Sequence, residues 1–178
     1  AAETFHTGPE GLGLLYASIA AGGLAAIATT GWLRHARRLG RVVVVAVCVW
    51  GAAISAAGAF GTLWLALVML AVAGGADAVS AVCRSTMMQT STPDHLRGRI
   101  SSAYSMVVAG GPYVGDVEAG AVGALFSPRV SFVSGGLLCL AGVGVVAARF
   151  PELWAYDAAS IPGVGATAGR PAPAEGRE

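Results

Sequence analysis

Lysine is absent from this chain, and charged residues of all kinds make up only 12% of its 178 positions. A soluble domain carries roughly 25% charged residues, so this scarcity argues against an ordinary water-soluble protein. The hydrophobic share is 55% and the mean hydropathy is +0.67, and both values are typical of membrane proteins. The formal net charge of +1 says little about partners, since the positions of the arginines matter more, and nucleic acid is not an expected partner. We therefore predict a membrane protein that has the lipid bilayer, and no nucleic acid, as a partner.

Cysteine and the common catalytic motifs are also scarce. Cys48, Cys83 and Cys139 fall in three separate apolar segments without Cys-x-x-Cys or histidine spacing, so neither a metal site nor a disulfide framework is predicted. The 26 glycines are dispersed and form no phosphate-binding loop that ends in Lys-Ser/Thr. No serine, histidine and aspartate are grouped for hydrolysis. The sequence thus predicts no cofactor, no metal and no enzyme, and an intramembrane enzyme stays only a third alternative.

The chain does contain long apolar runs that match the thickness of a bilayer. A membrane-crossing helix needs about 20 apolar residues, and we predict spans at about 12–33, 42–59, 63–83, 101–126 and 130–148. Residues 1–10 are predicted as an extracytoplasmic loop, and the Pro-, Ala- and Gly-rich residues 150–178 as a disordered tail. The predicted fold class is an all-α membrane protein, a bundle of five transmembrane helices within residues 11–149.

The arginines predict the orientation of this bundle. One set of connections, together with the tail, contains Arg34, Arg37, Arg38, Arg41, Arg84, Arg97, Arg99, Arg149, Arg170 and Arg177. The opposite set contains only Arg129. The positive-inside rule therefore places the C-terminus in the cytoplasm and Ala1 outside. An odd number of spans that starts outside, without a methionine, predicts the last portion of a longer protein.

Two carboxylates lie in the fourth predicted span, within residues 110–120. A charged side chain at the centre of a membrane helix costs about 2.5 to 3.5 kcal/mol on insertion scales, so Asp116 and Glu118 should face a protein interior or a watery cavity. Pro112 removes one helical hydrogen bond, and Gly111 and Gly115 provide small residues at i, i+4 spacing. We expect a bent helix that a neighbouring helix can approach closely.

These residues have both a functional and a structural interpretation. Asp116 and Glu118 either exchange protons during transport or pair with a neighbouring group and order the helix packing. Residues two apart on a helix point about 200° apart, so both face one cavity only if Pro112 and the glycines distort the turn. Tyr113 presents its ring to an aromatic substrate or packs against other helices. We predict Asp116, Glu118 and Tyr113 as proton-coupling or substrate-pathway residues.

A second charged group lies towards the cytoplasmic end of the third predicted span. Asp77 and Arg84 are seven residues apart, which places them on one helix face two turns apart. They either form part of a charge network that closes a cytoplasmic gate, or Asp77 caps a neighbouring helix. Arg97 and Arg99 in the following loop anchor the topology or join the same gate network.

Four motifs together resemble a known family. They are Gly11-Leu-Gly-Leu-Leu-Tyr16, Gly74-Gly-Ala-Asp77 with Arg84-Ser-Thr86, Thr92-Pro-Asp94 with Arg97-Gly-Arg99, and Gly110-Gly-Pro-Tyr-Val-Gly-Asp116 with Glu118-Ala-Gly120. In this order they resemble the last five of the twelve helices of a major facilitator superfamily transporter. The similarity is to the branch of the enterobactin exporter and related drug and siderophore efflux proteins. The family's Gly…Asp-Arg-x-Gly-Arg inner loop is matched only by Gly31, Arg38, Gly40 and Arg41, without the aspartate.

The resemblance implies the C-terminal half of a transporter fold that lacks its N-terminal half. It also implies a multi-pass protein of the bacterial inner (plasma) membrane that exports a siderophore, drug or similar small amphipathic compound in exchange for protons. Alternating access in such proteins moves one half against the other around a midplane site. The expected partners are therefore the small-molecule substrate and the missing N-terminal half. The alternative is a membrane-embedded assembly subunit, or an inactive fragment, that needs a separate N-terminal half.

Overall fold

The computed structural model describes residues 9–29, 31 and 38–150. The described residues form five α-helices, which we number α1 (Pro9–Thr29), α2 (Leu39–Ala59), α3 (Leu63–Ser91), α4 (Arg97–Leu125) and α5 (Pro128–Arg149). A short 3₁₀-helix at Asp94–Leu96 precedes α4, and no strand occurs in these described ranges. The predicted all-α class is confirmed. The predictions for the first eight residues, for most of the basic turn at 34–41 and for the tail from 151 lie outside the described residues.

Four of the described helices are long and apolar enough to cross a membrane, namely Glu10–Thr29 within α1, α2, α3 and α5. Helix α4 has 29 residues, which is sufficient length, but it is not among the four. Its two carboxylates, its proline and its glycines lower its hydropathy, and these are the residues that single it out as a site. That α4 itself crosses the membrane stays a prediction.

The third helix extends further than the sequence pattern suggests. We predicted its end near residue 83 and a loop to residue 99, whereas α3 continues to Ser91 and α4 already begins at Arg97. Residues 84–91 contain neither glycine nor proline, so nothing in them interrupts the helix. The helix ends where Thr92 becomes extended, with φ −100° and ψ 122°, because a residue before proline disfavours helical geometry.

The helices pack as neighbours in the order α1, α3, α2, α5 and α4. Contact between α1 and α3 is made backbone to backbone at Gly22 and Gly74. A Cβ atom at Gly22 would collide with the carbonyl group of Ala71, and one at Gly74 would collide with the carbonyl group of Ile19. Membrane helices associate through such van der Waals contacts between small residues, because lipid gives no hydrophobic drive for their association.

The same kind of contact joins α2 to α5. A Cβ atom at Gly51 would lie 3.1 Å from the carbonyl oxygen of Gly136, and one at Gly136 would collide with the hydroxyl group of Ser55. The buried hydrophobic residues are correspondingly small, with Ala46, Ala53, Ala57, Ala66 and Ala73 among them. These four helices, α1, α3, α2 and α5, therefore form a closely packed unit, with α4 added at the α5 edge.

Arg129 connects the α4–α5 turn to the α2–α3 turn, at one end of this unit, through hydrogen bonds. Its Nε donates a hydrogen bond to the carbonyl oxygen of Gly58 at 3.1 Å, and its Nη2 donates to that of Ala59 at 2.5 Å. Both carbonyls belong to the last turn of α2, where backbone oxygens have no helical partner and carry partial negative charge. The guanidinium group thus caps α2 from the first turn of α5. From the sequence alone, Arg129 is considered only in the comparison of positive charges on the two sides of the membrane.

Replacing this arginine should loosen the turn. We expect Arg129→Ala to lower stability by about 1 to 2 kcal/mol, because two charge-assisted hydrogen bonds are lost at an exposed position. Thermal unfolding of the purified chain in detergent, followed by helical circular dichroism, measures the change. Arg129→Lys keeps the charge but has no planar fork, so it should recover only part of the loss. A midpoint for Arg129→Ala equal to that of the unmodified chain would contradict the capping role.

Candidate functional site

Helix α4 holds the predicted proton-coupling residues on an uncovered surface. Asp116 and Glu118 are both exposed within the described chain, and Tyr113 is 73% exposed. Pro112 lies in the interior of the helix, which continues on both sides of it. None of the α4 residues is buried, whereas α2 and α3 each bury several. The acidic helix is therefore the one with the least protein around it.

Four glycines of α4 have no helix against them among the described residues. A Cβ atom added at Gly110, Gly111, Gly115 or Gly120 would meet no described atom within 4 Å. Helix α4 instead contacts α5 near their shared turn, where the Ser131 hydroxyl donates a hydrogen bond to the carbonyl oxygen of Ala119 at 2.9 Å. The close helix approach that Gly111 and Gly115 predict is not formed within the described residues.

Asp77 and Arg84 are brought together as their spacing suggests. Arg84 Nη2 lies 3.7 Å from Asp77 Oδ1. Arg84 Nε also donates a hydrogen bond to the carbonyl oxygen of Ser80 at 3.3 Å, so the side chain runs back along α3 towards Asp77. The side chains remain 40% exposed at Arg84 and 65% exposed at Asp77. The pair is thus formed on one face of α3 and left open to its surroundings.

The two arginines of the Arg97-Gly-Arg99 motif lie in the first turn of α4, and both are exposed. Arg97 Nη2 lies 3.5 Å from the carbonyl oxygen of Gln89, which is in the last turn of α3. This contact links the end of α3 to the start of α4 across the 3₁₀-helix. It places Arg97 beside the end of the helix that carries Asp77 and Arg84.

A cavity adjoins the Asp77–Arg84 pair, and sequence reasoning missed it. The cavity lies between α2, α3 and α5, has a volume of about 190 Å³ and is lined in part by Trp50, Ser80 and Cys139. These residues come from three helices, and no local motif connects them. The described residues contain no cluster of three or more His, Cys, Asp or Glu side chains that could hold a metal ion.

Comparison with known families decides the family of the chain. The model of the Major Facilitator Superfamily matches residues 1–170. The chain belongs to the Major Facilitator Superfamily. Membership in this transporter superfamily confirms the resemblance that the four motifs indicate, and with the apolar helices it makes the chain part of a multi-pass inner-membrane protein.

Several curated relatives within the superfamily are exporters by name. The enterobactin exporter EntS of Citrobacter koseri is 32% identical over 143 residues, covering 80% of this chain and 34% of that protein. EntS of Escherichia coli O1:K1 gives the same identity and coverage, and EntS of Shigella flexneri is 32% identical over 146 residues, covering 80% of this chain and 35% of that protein. The chain thus spans about a third of the length of these relatives. No solved structure matches the chain.

Superfamily transporters bind their substrates near the bilayer midplane, at the interface between two repeats. In this Major Facilitator Superfamily chain, α1, α3, α2 and α5 pack closely, and α4 with its carboxylates is left uncovered by the other described helices.

Proposed function

We propose that this chain is the C-terminal portion of a proton-coupled exporter for a siderophore, a drug or a similar small amphipathic compound. It acts together with an N-terminal half of the same fold, with its C-terminus in the cytoplasm. The names of the curated relatives support the export of a siderophore. Their greater length supports a partner half, since this chain covers about a third of each.

The uncovered acidic helix is the observation that carries this proposal. Asp116 and Glu118 both lie in the second half of α4. Neither is buried by described residues. Facing lipid, each charge would cost about 2.5 to 3.5 kcal/mol near the bilayer centre. This cost is avoided if α4 faces another protein segment or a water-filled pathway, and a transporter with two halves provides both.

The helical geometry divides the roles along α4. Tyr113 is three residues before Asp116, so the two side chains share a face. Glu118 is seven residues after Gly111, so these two side chains share a face. That face is opposite to the one with Tyr113 and Asp116. We assign the Tyr113 and Asp116 face to the pathway, with Asp116 exchanging the proton and Tyr113 contacting substrate. Glu118 lies on the side that a closely approaching helix would cover at Gly111.

The second charged group serves as the cytoplasmic gate in this proposal. The Asp77–Arg84 pair lies on α3, and Arg97 contacts the carbonyl group of Gln89 at the end of the same helix. Breaking or forming the 3.7 Å contact between Arg84 Nη2 and Asp77 Oδ1 would change which groups the end of α3 contacts. Arg97 and Arg99, at the start of α4, connect that change to the helix that carries Asp116.

Co-expression tests the proposal against its alternative. The chain would be produced in everted bacterial membrane vesicles alone and together with the first seven helices of a related enterobactin exporter. We expect proton movement after addition of a catecholate siderophore only when both parts are present, read from a pH-sensitive fluorescent dye. Proton movement with the chain alone would contradict the need for a second half. Assembly of the two parts without proton movement would favour the alternative, a membrane-embedded assembly subunit.

A further inference from the structure

The cavity beside the Asp77–Arg84 pair has a mixed lining, in which polar side chains and a tryptophan lie among alanine and valine. Trp50 contributes from α2, Asp77, Ser80 and Arg84 from α3, and Cys139 from α5. No residue of α4 lines it. The cavity of about 190 Å³ therefore lies among the packed helices α2, α3 and α5, and it includes the charged pair of the proposed gate.

Ser80 adds a buried hydroxyl group to the wall of this cavity. Its side chain is only 2% exposed, and its Oγ has no hydrogen-bond partner among the described residues. A hydroxyl group that is buried without a partner costs about 1 to 3 kcal/mol. A water molecule that reached Oγ from the cavity after a rotation of the Ser80 side chain would remove this cost, because the hydroxyl can both donate and accept.

The depth of the charged pair points to the same conclusion. Asp77 lies fourteen residues after the start of α3 at Leu63, or ~21 Å along the helix, well within a hydrocarbon core of about 30 Å. Arg84 lies ~31 Å along, at the far boundary of that core. The Asp77 side chain is 65% exposed at this depth. An ionised carboxylate so placed requires water or another polar surface beside it.

We propose that this cavity is a hydrated crevice, which binds several water molecules between Ser80, Asp77 and Arg84 and opens at the Arg84 end of α3. A volume of about 190 Å³ is large enough for several water molecules. The hydroxyl, the carboxylate and the guanidinium supply the two to four polar partners that a buried water needs. The crevice therefore carries water from one membrane face to Asp77 independently of α4.

A neighbouring groove has an almost entirely apolar lining. It has a volume of about 420 Å³, lies between α1, α2 and α3, and is lined by valine, alanine and glycine with Arg41 at one end. Apolar cavities of this kind exclude water. The crevice is distinguished from this groove by the hydroxyl, carboxylate and guanidinium groups in part of its lining, and not by its volume.

The native cysteines report the presence of water directly. Only a thiolate reacts quickly with a methanethiosulfonate, and a thiol surrounded by apolar groups stays protonated and inert. Cys139 lines the crevice, Cys83 is fully buried, and Cys48 is partly exposed but does not line the crevice. The unmodified full chain in sealed vesicles would be treated with membrane-impermeant sulfonatoethyl methanethiosulfonate, and each cysteine quantified by mass spectrometry.

We expect Cys139 to be modified at least about tenfold faster than the fully buried Cys83, from the vesicle face at which α3 ends. Equal, slow modification of the three cysteines would overturn the proposal, because it would show a dry cavity. Fast modification of Cys139 from the opposite face only would also overturn it. This measurement needs no substitution, so it does not depend on a variant folding.

A matched pair of variants tests the route. Val47 lines the crevice, whereas Val45 on the same helix is exposed and lines the apolar groove. Val47→Phe should fill the crevice and reduce modification of Cys139 about tenfold, while Val45→Phe should leave it unchanged. If Val47→Phe leaves the rate unchanged, the reagent reaches Cys139 by another route and the proposal fails.

Discussion

Asp116→Asn is expected to reduce substrate-dependent proton movement to the background level in vesicles that contain the assembled transporter. The substitution keeps the size and hydrogen-bonding shape of the side chain but removes its ability to bind and release a proton. If Asp116 is the coupling carboxylate, siderophore or drug addition should no longer change the internal pH. The measurement is the quenching of a pH-sensitive dye in everted vesicles, with the amount of inserted protein determined by immunoblot.

The adjacent carboxylate gives a matched control. Glu118→Gln makes the same chemical change two residues away, on the opposite face of α4. Because that face carries Gly111 and not Tyr113, we expect Glu118→Gln to keep most of the proton movement. Unchanged flux in Asp116→Asn would remove Asp116 from the coupling role. Equal loss in both variants would show that the helix distorts near Pro112 and brings both carboxylates to one pathway.

Gly74→Val should have the largest effect on the fold itself. A Cβ atom at Gly74 would collide with the backbone carbonyl of Ile19 in α1, and a backbone group cannot rotate away as a flexible side chain can. Overpacking typically costs about 1 to 3 kcal/mol, and a collision with main-chain atoms lies at or above the upper end of that range. We expect a strongly reduced yield of folded chain and a lower unfolding midpoint in detergent.

Gly142→Val is the control for this variant. Gly142 is also in a helix, α5, but a Cβ atom there would meet no described atom within 4 Å. The added side chain therefore finds open space, and the yield and the unfolding midpoint should stay close to those of the unmodified chain. Equal loss in Gly74→Val and Gly142→Val would indicate a general intolerance of valine and would contradict the close α1–α3 contact.

The apolar helices could be predicted from the sequence because their signal is local. Runs such as those of α2 and α5 are long, apolar and bounded by turns at Phe60 and Ser127, so each run is sufficient to indicate a helix. The end of α3 was placed too early, since Arg84 marks the edge of the apolar stretch while the helical backbone continues to Ser91. Hydropathy indicates where the lipid-facing part of a helix ends, and the helix itself can continue beyond that residue.

The candidate site could be predicted only in part. The spacing of Asp77 and Arg84 gave their pairing, because both lie on one helix. The capping of α2 by Arg129 could not be found in this way, since its partners Gly58 and Ala59 are about 70 residues away in the chain. The Ser80 hydroxyl group, which has no hydrogen-bond partner among the described residues, could not be predicted either. Whether a serine is buried depends on the neighbouring helices, and the sequence of its own helix does not show this.

The sequence by itself determined that this is an all-α membrane chain of the Major Facilitator Superfamily, because length, hydropathy and motif order are properties of contiguous residues. Only the tertiary structure decided which glycines are contacts and which are open, as at Gly74 and Gly111. It also decided that α4 is left uncovered while a polar cavity forms between α2, α3 and α5. The physical reason is that burial and cavity shape depend on how distant helices meet, and no single helix specifies its neighbours.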